Sequence, residues 1–136
     1  MKQITLRLKP GQYLREEIEN IVQKENITAG AIISAVGGLE NVNIRLSKLD
    51  TGEKIVKELV GPFELVSCMG TLSVNGSHIH VSVSDRSGAC YGGHLKNGCE
   101  VFVTIELVIL VFTDTSYTRV LDEETGFEEL VSEKIK

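Results

Sequence analysis

The stretch FELVSCMGTLSVNGSHIHVSVS, residues 63–84, predicts two strands joined by a tight turn. From His78 to Ser84 polar and apolar residues alternate, which is the period-two pattern of a strand with one buried face. Asn75-Gly76, between the two halves, is a strong hairpin signal because both residue types accept a positive φ. The stretch therefore predicts an antiparallel strand pair.

The segments around this hairpin add one helix and further strands. Apolar residues recur at helical spacing between Gln12 and Glu25, which predicts a helix with one apolar stripe. We expect a turn at Gly37-Gly38, a turn at Asp50-Thr51-Gly52 and a break at Gly61-Pro62. The stripe comprises Leu14, Ile18, Ile21 and Val22. Further strands are predicted at residues 2–9, 29–36 (AGAIISAV, expected to be fully buried), 42–46, 54–60, 101–112 and 117–121.

Length and composition favour an ordinary folded domain. The chain has 136 residues, 42% of them hydrophobic and 24% charged, and we expect a single domain over residues 1–136. The N-terminus lacks the pattern of a secretory signal, and the longest apolar stretch is too short for a membrane helix. We therefore expect a cytoplasmic protein with no membrane partner.

The charge of the chain argues against direct DNA binding. The formal net charge is −5 and the sequence pI is about 5.2, whereas DNA-binding surfaces cluster Lys and Arg against phosphates. The basic residues are scattered, and a group of acidic residues lies near the C-terminus. Any DNA contact would need a local basic patch or a partner.

The strand at residues 101–112, VFVTIELVILVF, has apolar residues on both faces toward its end. One helix can cover only one face of a sheet, so we expect a subunit interface on the other.

Three cysteines, an odd number without a C-x-x-C pair, indicate neither a disulfide framework nor a zinc ribbon. We expect buried, reduced thiols. Cys90 is expected to pack on the same face as Val83 rather than to act as a nucleophile.

The three histidines of the chain lie within 17 positions, and two of them share one strand face. His78 and His80 are two residues apart on the predicted strand, so their side chains point the same way. A four-residue turn at Asp85–Gly88 would place His94 opposite Ile79, on the other face. A one-residue bulge at Gly92-Gly93 would bring it opposite one of the other two histidines.

Three imidazoles can hold a divalent metal with one position open to water or substrate, as in catalytic zinc sites. Zinc is the favoured ion, although iron, nickel and copper also bind imidazole. Candidates for orienting the imidazoles are Ser82, Asp85 and Glu106. The alternative is that the strand histidines are polar residues on a solvated face and the third is a loop residue.

Four motifs together are specific for one family. They are G-x-F-E-L at Gly61–Leu65, H-x-H-x-S-x-S-D at His78–Asp85, G-G-H-L at Gly92–Leu95 and T-x-E-L-V-I at Thr104–Ile109. In order and spacing the chain resembles the PPC domain, the "plants and prokaryotes conserved" family. The resemblance implies a compact α/β (α+β) fold, a mostly antiparallel sheet flanked by one or two helices, that assembles as a homotrimer.

The resemblance also bears on function. In plants the domain follows an AT-hook, R-G-R-P, and itself mediates assembly and partner contacts; stand-alone prokaryotic members are called DNA-binding proteins by that association. This chain has no R-G-R-P and no basic arm. Carried over residue by residue, the family's histidines correspond to His78, His80 and His94 and imply a bound metal.

Two functions follow as hypotheses. The first is a non-enzymatic, transcription-associated assembly module, a homotrimer that binds other proteins and contacts DNA only weakly or indirectly. The second is a metal-dependent enzyme or small-ligand binder that uses the three histidines. The sequence shows no evident catalytic base or nucleophile, which favours the first.

Overall fold

The computed structural model describes residues 1–47 and 52–135, and within them the chain forms one helix and eight strands. The predicted α+β class with mostly antiparallel strands is confirmed. Most of the turn expected at Asp50-Thr51-Gly52 lies outside the described residues. No helix in the described ranges is long and apolar enough to cross a membrane. The elements are β1 (Lys2–Leu8), α1 (Leu14–Lys24), β2 (Gly30–Arg45), β3 (Val56–Leu72), β4 (His78–Ser84), β5 (Cys90–Leu95), β6 (Val101–Val111), β7 (Thr115–Asp122) and β8 (Phe127–Lys134).

Six strands form one antiparallel sheet in the order β1-β6-β2-β3-β4-β5. The sheet also curls back on itself, because the end of β5 pairs with the end of β2. There Leu95 lies opposite Ile44, and His94 lies opposite Arg45. The remaining strands, β7 and β8, form a separate hairpin.

The predicted apolar stripe of the helix is buried against one face of the sheet. Leu14, Ile18 and Val22 are at most 1% exposed and share one core cluster with strand residues such as Ile79 and Leu107. Glu16 and Glu17 in the first turn and Lys24 in the last suit the helix dipole.

Gly37-Gly38 and Gly61-Pro62 do not end their strands, so the turn predicted at the first and the break predicted at the second are wrong. β2 and β3 run through these positions without interruption. At Gly37, which has a φ of +153°, an added Cβ would lie 1.9 Å from the carbonyl oxygen of Thr104. The glycine therefore allows β2 to pass close to β6, where the register shifts at a bulge.

The sheet has one covered face and one open face. AGAIISAV is not fully buried as predicted, because Ile33 and Val36 are 55% and 60% exposed. The apolar residues toward the end of β6 divide between the two faces as predicted: Leu107 and Ile109 are buried, and Val108 and Leu110 are half-buried. Near the start of β6, Val103 is 65% exposed. A single helix leaves this second face uncovered. Six of the exposed apolar residues of β2, β3 and β6 are here termed the open-face residues: Ile33, Val36, Val66, Met69, Phe102 and Val103.

Candidate metal centre

Two histidines of the candidate centre lie side by side on β4. His78 pairs with Thr71 of β3, and His80 pairs with Met69, so both imidazoles project from the open face of the sheet. The Nε2 atoms of the two rings are 3.0 Å apart. The two side chains share one face of the sheet, as strand alternation predicted. Their Nε2 atoms are therefore close enough to bind one metal ion.

The third histidine reaches them through the register of the β4–β5 hairpin. His94 lies directly opposite His80, with no bulge at Gly92-Gly93. The extra residue that the sequence analysis placed in the strand lies in the turn instead, where the Asp85 N–H donates to the Ala89 carbonyl at 3.0 Å. The three-residue loop ends at Gly88 with a φ of +82°, the glycine of a common hairpin type.

Gly93 allows β5 to lie close to β2. A Cβ added there would be 2.7 Å from the carbonyl oxygen of Arg45, closer than real Cβ contacts. The absence of a side chain at Gly93 therefore lets the sheet curl and brings His94 beside Arg45, whose Nη2 lies 3.4 Å from His94 Nδ1.

The cluster has the dimensions of a three-histidine metal site. One nitrogen from each of His78, His80 and His94 can be chosen so that all lie within 4.8 Å of one another. Two nitrogens bound to one tetrahedral zinc at ~2.0–2.1 Å are about 3.3 Å apart. The two imidazole nitrogens that are farthest apart would thus have to approach each other by no more than about 1.5 Å. Rotation of the imidazole side chains can supply such a movement. The residues fit the metal that the sequence suggested.

The surroundings keep two of these imidazoles uncharged at neutral pH. Burial and the Arg45 guanidinium lower the pKa of His94 to about 4. Burial, then the neighbouring His80 and Arg119, also lower the pKa of His78. Neutral imidazole is the form that binds metal, so protons do not compete for these ligands at pH 7.

The residues proposed to orient the imidazoles do not do so. Among the described residues, no hydrogen bond joins Ser82, Asp85 or Glu106 to a histidine. The Asp85 carboxylate accepts from the backbone N–H groups of Ser87 and Ala89 and so caps the turn. That prediction is wrong, because Asp85 is engaged in the turn and Glu106 lies on β6, separated from β4 by β2 and β3.

A cleft of about 1040 Å³ opens beside the histidines, between the end of the sheet and the β7–β8 hairpin. Arg119 of β7 ties the hairpin down by donating from Nη2 to Thr71 Oγ1 at 2.7 Å and from its backbone N–H to Asn75 Oδ1. Neither these cleft residues nor β8 was predicted from the sequence, since no motif links β2 with the C-terminal hairpin. Among the cleft residues that were not predicted are Arg45, Arg119, Leu121, Phe127, Glu128 and Glu129.

The cysteines divide into two buried thiols and one exposed thiol. Cys68 and Cys99 are buried as predicted, and burial raises the pKa of Cys68 to about 12. Cys90 is exposed, opposite Ser84, so its predicted packing on the Val83 face is wrong. The longer turn moved it to the other face, for the same reason that it moved His94.

Comparison with known proteins identifies the family. A family model for the Plants and Prokaryotes Conserved (PCC) domain matches residues 1–113. The chain belongs to the PCC domain family. The family predicted from the four sequence motifs is thereby confirmed.

Similar proteins include solved structures and much longer chains. A hypothetical protein from Salmonella enterica is 34% identical, with a TM-score of 0.91 over 98% of this chain and 94% of its own. A metal-containing protein from Archaeoglobus fulgidus is 32% identical, with a TM-score of 0.85 over 96% of this chain and 94% of its own. The bifunctional protein GlmU of Synechococcus sp. is 35% identical over 96% of this chain. The chain spans only 20% of that curated relative.

Proposed function

We propose that this PCC-domain protein binds a divalent metal, zinc foremost, through His78, His80 and His94 and presents it to a small molecule in the adjoining cleft. The observation that carries the proposal is the convergence of three imidazole nitrogens within 4.8 Å at the cleft. The similarity to an archaeal protein described as metal-containing supports it. In this proposal the protein acts in the cytoplasm.

The chemistry follows from the ligand set. Three protein ligands leave the fourth position of a tetrahedral ion open, and such an ion polarises a bound oxygen or activates water. Glu129 of β8 lines the same cleft and is half-buried, and its charge acts on the pKa of His78. The cleft thus holds a proton acceptor beside the histidines, which favours the metal-dependent hypothesis over a purely structural module.

A single substitution tests the ligand set. His80→Ala removes one of three ligands from an exposed position, so the fold should tolerate it. The free energy of zinc binding to a four-ligand site is about 10–16 kcal/mol, or roughly 3 kcal/mol for each ligand. The loss of one ligand should therefore lower the affinity for zinc by about 100-fold or more. Competition with a chromophoric chelator measures this affinity.

Ser82→Ala is the matched control, because Ser82 lies on the same strand and face but makes no hydrogen bond to a histidine in the described structure. Its zinc affinity should stay within about threefold of the wild type. Equal affinities for the His80→Ala and wild-type proteins would refute the proposed ligand set.

A second proposal concerns assembly. The open-face residues lie on three adjacent strands of the sheet, and five of the six are more than half exposed in the single chain. Such apolar surface on a folded chain favours association with another copy. We propose that the protein forms a homotrimer through this face, as the family resemblance implied.

Light scattering tests the assembly, with an expected mass near three times 14.9 kDa. Val36→Glu, on the open face, should dissociate the assembly, because a carboxylate would be buried in an apolar interface. Val120→Glu on β7 is the control, since Val120 is similarly exposed at 53% but lies outside this face. A monodisperse wild-type monomer at micromolar concentration would contradict the proposal.

A further inference from the structure

Arg45 occupies an unusual place for a residue beside a metal ligand. Its guanidinium lies 3.4 Å from His94 Nδ1 and can only donate hydrogen bonds. An imidazole that binds metal through one nitrogen presents an N–H at the other and needs an acceptor there. When Nε2 of His94 binds the metal, its Nδ1 carries the N–H, so Arg45 has no acceptor there and its guanidinium is left to bind another partner.

That partner is absent from the described part of the chain. The ion pairs among the described residues are Lys2–Glu25 and Arg15–Glu19, so none of the cleft carboxylates pairs with Arg45. The guanidinium carbon also lies 5.8 Å from the centroid of the Phe127 ring. A half-buried guanidinium without a carboxylate partner is a ready donor for an anion.

The charge of the cleft points the same way. Arg45 and Arg119 contribute two positive charges, and Glu128 and Glu129 contribute two negative charges, so the lining is formally neutral. Three neutral imidazoles would leave both charges of a divalent ion uncompensated. An excess of two positive charges in a partly closed cleft attracts an anionic ligand.

We infer that the ligand of this cleft is a small organic molecule bearing an oxyanion, a carboxylate or a phosphate, held jointly by the metal and Arg45. The inference rests on the proposed metal site. The metal and the guanidinium would together bind two oxygens of one such group. A neutral amide has only one oxygen and no negative charge, so it cannot make both contacts. The apolar side chains of Leu46, Leu121 and Phe127 in the lining suit an organic body attached to it.

Cobalt-substituted protein provides the test, because the visible absorption of Co²⁺ reports ligands at the open position. Benzoate, benzamide and inorganic phosphate are titrated into wild-type protein, Arg45→Gln and Arg7→Gln. Arg7 is an exposed arginine on β1, outside the cleft. We expect benzoate to bind the wild type at least tenfold more tightly than benzamide. In Arg45→Gln this affinity should fall by about 10- to 100-fold, the effect of one charge-assisted hydrogen bond.

The outcomes separate the two proposals. Co²⁺ affinity in Arg45→Gln should equal or exceed that of the wild type, since Arg45 is not a ligand, and Arg7→Gln should match the wild type throughout. Phosphate binding as tightly as benzoate would assign the site to oxyanions in general, and weaker binding would assign it to carboxylates. Equal affinities for benzoate and benzamide, or unchanged benzoate binding in Arg45→Gln, would overturn the inference while the metal site stands. Failure to bind Co²⁺ at all would overturn the metal site itself.

Discussion

The passage of β2 across β6 depends on the missing side chain of Gly37, and Gly37→Ala should destabilise the protein severely. The new Cβ would lie 1.9 Å from the Thr104 carbonyl oxygen and 2.7 Å from the Ile105 Cα, whereas real Cβ contacts are essentially never under 3.0 Å. The central strands would have to separate by about 1.1 Å, which stretches inter-strand N···O distances beyond hydrogen-bonding range. Overpacking at about 1–3 kcal/mol and two lost buried hydrogen bonds at about 1–3 kcal/mol each give a loss of unfolding free energy of roughly 3–9 kcal/mol.

Gly88→Ala separates this clash from backbone strain. Gly88 also has a positive φ, +82°, but an added Cβ there would meet nothing within 4 Å. It should cost only about 1–2 kcal/mol, the strain of a left-handed conformation. Urea unfolding followed by circular dichroism at pH 7 measures both variants. Unfolding free energies for the two variants within about 1 kcal/mol of each other would refute the close approach of β2 and β6.

Three further predictions concern protonation, thiols and DNA. The folded-state pKa of His94, about 4, lies below the unfolded value near 6.5, so metal-free protein should lose stability as the pH falls from 6.5 toward 4. Because His94 is partly exposed, we expect this loss of unfolding free energy to be only about 1–2 kcal/mol. In urea titrations at pH 7 and 4.5 the wild type should lose that much more than His94→Gln, and equal losses in the two proteins would contradict the prediction. Iodoacetamide should modify Cys90 in the folded protein but Cys68 and Cys99 only after unfolding, and mass spectrometry showing rapid triple modification would contradict the described burial. Gel shifts should show at most weak, salt-sensitive DNA binding by a chain of net charge −5, and tight sequence-specific binding at physiological salt would reveal a basic patch.

The elements that the sequence predicted well are those set by local patterns. Asn75-Gly76 lies in the connection of a β-hairpin as expected, and Gly76 has a φ of +143° that glycine accepts. The connection is longer than the predicted tight turn, because the last paired residues are Thr71 and His78. The helical stripe around Ile18 is buried because its spacing alone defines an apolar face. Alternation along β4 likewise placed His78 and His80 on one face.

The predictions that failed depend on contacts between distant segments. One additional turn residue before Cys90 changed the face of every later residue of β5, including His94. Arg45 comes from β2 and Arg119 from β7, and they reach the cleft only because the sheet curls and the C-terminal hairpin folds over it. No local pattern carries that information. Gly37 likewise marks a close approach between strands that the sequence does not place side by side.

The most direct test of the metal centre is elemental analysis of protein purified without chelator and without a nickel column. The three-histidine site predicts about one divalent ion, zinc foremost, for each wild-type chain and almost none for His80→Ala prepared in parallel. A wild-type protein that remains metal-free after incubation with zinc at pH 7, or a His80→Ala protein with the wild-type metal content, would contradict it.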